Sequence, residues 1–288
     1  MSTTTLSSGS PTPVQHRPGT LGVAHTVTFG RLVRAEWIKV RSLRSTYWTL
    51  GAAAFLHGLI PTLVGLAVTL NGEDGMASSP ADSFALLGFG TSLSVFLVIV
   101  FAVLQITGEY RTGLIRSSFA ADPRRLPTLG AKAVVVTGAA VVVGLLGTLL
   151  AVLGTLPFSA LDLDLRLVDA ETWRLLFGPT LYITGWALFS LGIGALLRST
   201  AATLSIVIVY LMILDGILMF VPLDVIRSIY PYLPAPASAG VTQGGTMGDV
   251  SGMFLPDTLS AWQGFGVFGI WVAVVFVGAA LLVRRRDA

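Results

Sequence analysis

Residues 133–156 read AVVVTGAAVVVGLLGTLLAVLGTL and contain no charged side chain. A bilayer hydrocarbon core about 30 Å thick is crossed by roughly 20 residues of helix, so this stretch is long enough to span a membrane. Backbone amides within lipid must be paired inside their own segment, and the alternating pattern of a barrel strand is missing here. The stretch therefore predicts a transmembrane helix.

Five further segments reach a similar length with few charges. The six predicted spans are 47–70, 84–106, 133–156, 175–197, 201–221 and 262–283. Composition agrees, because 53% of the residues are hydrophobic and 11% are charged, whereas about a quarter of the residues of a soluble domain are charged. We therefore expect an all-α polytopic membrane protein with six transmembrane helices, preceded by an amphipathic interfacial helix.

The basic residues are concentrated on one side of the predicted spans. Of the 18 Lys and Arg residues, 15 precede span one, lie between spans two and three or four and five, or follow span six. The positive-inside rule then places both termini in the cytoplasm, and an even number of spans requires both termini on one side. We expect a multi-pass protein of the cell membrane. This distribution also explains the net positive charge without a nucleic-acid partner.

Residues 1–28 are rich in Ser, Thr, Pro and Gly, a composition that buries too little apolar surface to fold. They are predicted to form a disordered cytoplasmic tail, followed by a six-helix transmembrane domain over 29–286. On the outer side, residues 222–261 form a long connection with apolar stretches broken by prolines. This pattern predicts short helices that enter the membrane only partway.

Two predicted cytoplasmic segments carry unusual charge patterns. Residues 29–44, FGRLVRAEWIKVRSLR, place apolar residues on one face of a helix and basic residues mostly opposite, which suits the headgroup layer. Glu36 lies within the apolar face, where a carboxylate is costly unless it is paired. The segment is either an anchor that sets topology or a contact for a partner. Residues 107–132 are either a compact charged contact or a solvated loop.

Polar residues within the predicted spans are few. Asp215 is the only acid well inside a span; it is either functional or touches outer water where span five ends or bends near Gly216. His57 in span one is interpreted as a hydrogen bonder in helix packing rather than as a proton relay. Polar side chains of span two suit packing or a substrate path. The pathway candidates are Thr91, Ser92, Gln105 and Asp215.

The chain lacks the motifs of common catalytic sites. Neither of its two lysines, Lys39 and Lys132, lies in a glycine-rich phosphate-binding loop. There is no cysteine, no histidine pair spaced for zinc and no Gly-x-Ser-x-Gly element. We therefore expect no enzyme activity, no catalytic residue, no metal site and no cofactor in this chain.

Three stretches, in their order along the chain, resemble one protein family. LVRAEWIKVRSLRSTYW (32–48), GEYRTGLIR (108–116) and LLRSTA (196–201) are similar to elements of the actinobacterial permease subunits of type-2 ATP-binding cassette transporters. The likeness covers about residues 29–286. One departure is that SSFAA, at 117–121, replaces the acidic, leucine-rich helix that many members have there.

The resemblance implies the transmembrane half of an exporter. Two permease chains, identical or different, would form the substrate pathway, and separate ATPase subunits would bind ATP and Mg. The amphipathic helix and the loop after span two would contact the ATPase. The implied coupling residues are Glu36, Arg41, Glu109, Arg111, Gly113, Arg116, Asp122, Arg124 and Arg125. An ion-coupled secondary transporter and a non-transporting anchor or sensor subunit are the alternatives.

Overall fold

A computed structural model describes residues 28–71, 87–113, 126–158, 169–221, 223–243 and 259–285. These ranges contain α-helices and no β-strand. The α-helices are α1 (Phe29–Ser42), α2 (Arg44–Asn71), α3 (Thr91–Thr112), α4 (Leu126–Thr155), α5 (Ala170–Leu197), α6 (Thr200–Val209), α7 (Asp215–Phe220), α8 (Asp224–Ile229), α9 (Pro234–Ala239) and α10 (Ala261–Arg285). A π-helical segment, Tyr210–Leu214, joins α6 to α7, and a 3₁₀ turn, Tyr230–Tyr232, follows α8.

Six of the helical stretches in these ranges are long and apolar enough to span a membrane, which confirms the predicted all-α polytopic fold. They are Arg44–Leu70, Thr91–Thr112, Leu126–Thr155, Ala170–Leu197, Thr200–Leu218 and Ala261–Val283. Two helices extend beyond the spans predicted from the sequence, 84–106 and 133–156. The helix α3 continues to Thr112, and α4 begins at Leu126. Helical hydrogen bonding continues into the polar residues that flank the apolar stretches. Both ends of the predicted 107–132 loop are therefore helical. Residues 114–125 lie outside the described residues.

The predicted amphipathic helix is α1. Its buried residues include Glu36 and Val40, while Trp37 and Ile38 are exposed. Leu43 has an extended backbone conformation and separates α1 from α2, although the sequence shows no helix breaker there. This break lets α1 turn away from the axis of α2 and pack mainly against α4.

Small residues bring the spans into close contact. A Cβ atom at Gly144 would lie 2.7 Å from the Cα of Thr180, and one at Gly192 would lie 2.6 Å from Val275 Cγ1. These positions join α4 to α5 and α5 to α10. Helices in lipid gain little from the hydrophobic effect when they associate, so close approach at such residues supplies much of the packing energy.

The segment 223–243 is packed into the bundle. Its short helices contact α5 and α10, and Tyr230, Ala235 and Ser238 are buried. Trp186 of α5 donates an Nε1–H hydrogen bond to Ser238 Oγ at 3.1 Å. The short helices expected in the 222–261 connection are therefore present over the described part, and their depth in the membrane stays a prediction.

Candidate functional site

The ends of α1, α3 and α4 that are predicted to be cytoplasmic meet in a group of four ionised side chains, here called the charge cluster. It consists of Glu36 and Lys39 from α1, Glu109 from α3 and Lys132 from α4. Lys39 Nζ lies 2.7 Å from Glu36 Oε1 and 2.7 Å from Glu109 Oε1. Lys132 Nζ lies 2.7 Å from Glu36 Oε2 and 2.7 Å from Glu109 Oε1. Each ammonium group thus bridges both carboxylates.

The charge cluster is largely hidden from solvent. The Lys132 side chain is 2% exposed, and those of Glu36 and Glu109 are 6% and 10% exposed. Lys39 covers the group from outside, with 42% of its side chain exposed. Removing one member of a buried ion pair typically costs about 3–5 kcal/mol, because the remaining charge is left uncompensated. With two positive and two negative charges, the cluster has no net charge, and removing any single member leaves one charge unbalanced.

Lys39 is held in its charged form. Partial burial acts to lower its pKa, but the hydrogen bonds and negative charges of Glu109 and Glu36 together outweigh this. The pKa of Lys39 is therefore raised above its usual value of 10.5.

Sequence reasoning identified Glu36 and Glu109 as site residues and missed their partners. It placed Lys39 on the charged face of an amphipathic helix and Lys132 in a loop. One available signal was composition, since only two of the 18 basic residues are lysines and both are in this cluster. A flexible ammonium stem can donate to several acceptors at once, whereas the planar arginine fork suits one carboxylate.

The other predicted coupling residues are arranged differently. Arg41 and Arg111 are exposed and belong to the last turns of α1 and α3. Gly113 ends α3 at φ +75°, with its N–H bonded to the Tyr110 carbonyl, a left-handed conformation that favours glycine. The remaining predicted coupling residues lie outside the described residues; these are Arg116, Asp122, Arg124 and Arg125.

The link between α5 and α6 is attached to the same end of α3. Arg198 has a left-handed backbone at φ 54°, and its guanidinium lies 4.9 Å from the centre of the Tyr110 ring. Thr200 Oγ1 donates to Thr107 Oγ1 at 2.8 Å. The ends of four helices, α1, α4, α5 and α6, are therefore joined to the end of α3.

Two predicted pathway residues line one cavity at the opposite end of α3. Thr91 and Ser92 share a cavity of about 220 Å³ with Tyr182 of α5 and with Thr242 and Gln243 beyond α9. Gln105 is not among its lining residues, since it lies 14 residues further along α3, about 20 Å away at 1.5 Å per residue.

Asp215, the fourth pathway candidate, begins α7 directly after the π-helical segment. The helix continues to Phe220 and its membrane-spanning part ends at Leu218, so a functional Asp215 and an Asp215 in contact with outer water both stay predictions. The Asp215 carboxylate interacts electrostatically with Tyr230 of the following 3₁₀ turn. Its Oδ1 atom is buried and has no hydrogen-bond partner within the described ranges.

Among the described residues, His57 has no partner for the hydrogen bond predicted for it. The residue is completely buried, and neither ring nitrogen has a partner in the part of the chain that the structure describes. The ring instead packs against Gly147 of α4. His57 is therefore a packing residue of the α2–α4 interface.

Arg174 holds the C-terminal end of α9 in place. Its Nη1 donates to the carbonyls of Gly240 and Gln243, both at 2.6 Å, and its Nη2 donates to Glu171. The last carbonyls of a helix lack partners within it and carry partial negative charge, so a cation is favourable there.

Within the described residues, no group of three or more His, Cys, Asp or Glu is placed to hold a metal ion. No known family model matches the chain, and no curated protein matches it.

Proposed function

We propose that this protein is the transmembrane permease subunit of an ATP-driven exporter, forming the substrate pathway as a dimer and coupled to a separate ATPase subunit that binds ATP and Mg. The observation that carries the proposal is the charge cluster, which joins α1 to the ends of two spans. The partner would dock on the predicted cytoplasmic face, and the second permease chain would be a copy or a sister chain.

The charge cluster gives a physical route for coupling. A partner can shift the permease between two conformations only if it contacts those conformations differently. Because Lys132 is buried and bridges α1 to α3, a displacement of α1 moves α3 and α4 or else separates buried charges. Separation is the costly alternative, so α1 and the two span ends move as one unit.

The buried and exposed charges have different roles in this mechanism. Glu36 and Glu109 point into the cluster and position α1 rather than touch the partner. Arg41 and Arg111 are exposed on the last turns of α1 and α3. They are the residues that would contact the ATPase. A charge reversal at Glu109 would disrupt the fold of the protein. A charge reversal at Arg111 is therefore the better test of contact with the ATPase.

The test uses the tagged full chain purified from its host membranes in mild detergent, with Arg111→Glu as the test variant. Arg227→Glu is the control, because Arg227 is exposed on α8 at the predicted outer side. We expect the wild type and Arg227→Glu to copurify with a vanadate-sensitive ATPase activity. Arg111→Glu should be inserted equally well and lose this activity. Unchanged turnover in Arg111→Glu would contradict the proposed coupling surface.

An ion-coupled secondary transporter is the second candidate, favoured by the single acid Asp215 in a span interior. It requires transport by the chain alone in proteoliposomes, driven by a proton or sodium gradient and lost in Asp215→Asn. Transport that needs nucleotide and a second subunit would instead support the exporter.

A further inference from the structure

The helices α4 and α10 leave an apolar groove between them. Because α10 packs mainly against α5 and α9, it stands apart from α4 along much of its length. The groove has a volume of about 440 Å³. It is lined by Ala133, Val134 and Thr137 of α4, by Leu188 of α5 and by four residues of α10 between Gly269 and Phe276.

The groove is open on the side that faces lipid. A Cβ atom at Gly269 would have no described atom within 4 Å. Val134, which lines the groove, and Ile270, next to Gly269, are both exposed. Apolar walls without neighbours forfeit dispersion contacts, and lipid tails are as apolar as these walls. In a membrane, the groove is therefore filled by hydrocarbon or by another helix.

The depth of the groove corresponds to the predicted inner leaflet. Ala133 is the first residue of the predicted span 133–156 and marks the inner edge of the hydrocarbon core. Gly269 lies 14 residues before residue 283, where the last predicted span ends, a distance of about 21 Å along the helix. One leaflet is about 15 Å deep in a core about 30 Å thick. The groove thus extends from the inner edge to just past the midplane, as an acyl chain of an inner-leaflet lipid does.

A helix of another chain is too thick for this groove. With a diameter of about 10 Å, a helix occupies about 1,200 Å³ over a length of about 15 Å, more than twice the volume of about 440 Å³ that the groove offers. A single hydrocarbon chain is much thinner than a helix. The volume therefore favours an acyl chain as the occupant.

Basic side chains lie near the inner end of the groove. The Phe29 ring of α1 is 3.5 Å from the position of a Cβ atom at Gly130. Gly130 and Val134 lie on one face of α4, since they are four residues apart. The first turn of α1 is therefore packed about one helical turn below the groove. Arg31 and Arg34 are exposed on the first two turns of α1.

The charge around this end of α1 is positive. Residues 1–28 contain no Asp or Glu, so this segment brings no carboxylate side chain to the arginines. Glu36, the single acid of α1, is paired with Lys39 and Lys132. Basic side chains beside a pocket between spans attract anionic lipid headgroups on the cytoplasmic side. A zwitterionic headgroup has no net charge and gains less from them.

We propose that the groove between α4 and α10 binds an acyl chain of an anionic phospholipid of the inner leaflet, with the headgroup beside Arg31 and Arg34. The bound lipid contacts both α1 and α10, which are far apart in the sequence. This site goes beyond the proposed function and does not depend on it.

The experiment uses the full chain in phosphatidylcholine nanodiscs that contain a small fraction of phosphatidylglycerol with a diazirine in its acyl chain. After illumination, the labelled residues are identified by mass spectrometry. We expect labels at 133–137 and at 269–276. A phosphatidylcholine probe with the same diazirine chain is the matched control and should label these residues about tenfold less. Equal labelling by the two probes would overturn the anionic site.

A groove-filling variant tests where the acyl chain lies. Gly269→Leu has room for its side chain and should reduce phosphatidylglycerol labelling at 133–137 by about tenfold. Gly266→Leu is the control on the same helix, because a Cβ there also meets nothing within 4 Å and the residue does not line the groove. It should be labelled like the wild type. Unchanged labelling at 133–137 in Gly269→Leu would contradict the proposed position of the chain.

A second variant tests the headgroup contacts. The double substitution Arg31→Gln/Arg34→Gln should lower phosphatidylglycerol labelling to the level of the phosphatidylcholine probe. Arg44→Gln, which removes an exposed arginine at the start of α2, should leave it unchanged. A preference for phosphatidylglycerol that survives in the double variant would rule out Arg31 and Arg34 as headgroup contacts.

The comparison of the two probes on the wild type keeps the proposal testable if a variant fails to fold. If neither probe labels the groove of the wild type, a second copy of this chain or another segment covers it, and the lipid site is overturned. Because no nucleotide or ATPase takes part in these measurements, their outcome leaves the proposed function unaffected.

Discussion

At position 147, the α2–α4 interface has no space for a side chain. A Cβ atom at Gly147 would lie 2.6 Å from both Cβ and Cγ of His57. The His57 ring is completely buried and belongs to a helix whose Pro61 cannot donate to the His57 carbonyl. Neither the ring nor its helix can shift without disturbing several other contacts.

We therefore expect Gly147→Ala to destabilise the protein by about 1–3 kcal/mol, the usual cost of adding a carbon to a full core. Gly138→Ala on the same helix is the matched control, because nothing lies within 4 Å of a Cβ there. It should be neutral or stabilising by up to about 1 kcal/mol. Thermal unfolding in detergent compares the two. Equal melting temperatures would show that the α2–α4 interface is looser than described.

The raised pKa of Lys39 predicts how the stability of the folded protein changes at alkaline pH. Its pKa is raised by Glu109 and Glu36 against the effect of burial, so its ammonium form is favoured by folding. Its contribution to stability is then complete below about pH 10.5 and is lost as the pH rises through the higher pKa of the folded protein.

Amine-selective labelling followed by mass spectrometry tests whether the pKa of Lys39 is raised. The chain has only two lysines, so the labelling of each can be followed separately. At pH 9 we expect Lys39 to react more slowly in the folded protein than in the SDS-denatured chain, because the reagent attacks only the neutral amine. Lys132, with 2% of its side chain exposed, should not react in the folded protein. Equal Lys39 rates in the folded and denatured chains would contradict the raised pKa.

At the scale of elements, the short helix α9 depends on a residue from another helix. Six residues of helix are too few to be stable in isolation, and α9 is held by Arg174 at its C-terminal end and by the Trp186 hydrogen bond to Ser238. Its stability therefore comes from these bonds to α5 and from packing against α10.

Arg174→Gln should loosen this element without affecting the spans. We expect hydrogen exchange of the amides in 234–243 to rise by about tenfold, which corresponds to a loss of about 1.4 kcal/mol. Exchange in α2 and α4 should not change. Arg227→Gln, an exposed arginine of α8, is the control. An unchanged exchange rate in 234–243 for Arg174→Gln would mean that packing alone fixes α9.

For the whole molecule, the distribution of charge predicts an orientation that cysteine labelling can measure. The chain contains no cysteine, so single substitutions give unambiguous signals. Ser42 and Ser228 are both exposed and lie on opposite predicted sides. A membrane-impermeant maleimide should label Ser228→Cys in intact cells and Ser42→Cys only in inside-out vesicles. The reverse pattern would invert the predicted topology.

The sequence by itself determined the six spans, the helical class and the amphipathic character of α1. These properties follow from local composition, because lipid requires each spanning segment to satisfy its own backbone and the cost of burying charge can be read residue by residue. Helix ends were less well predicted, since α3 and α4 continue past the apolar stretch.

Only the tertiary structure decided which polar groups meet. Lys132 binds a carboxylate 96 residues away and another 23 residues away, and Trp186 donates a hydrogen bond to Ser238, 52 residues away. Helical periodicity shows which face of a segment is polar, but it does not show which other helix that face will meet. Long-range packing of the helices sets those pairings, and with them the charge cluster, the cavity and the surroundings of Asp215.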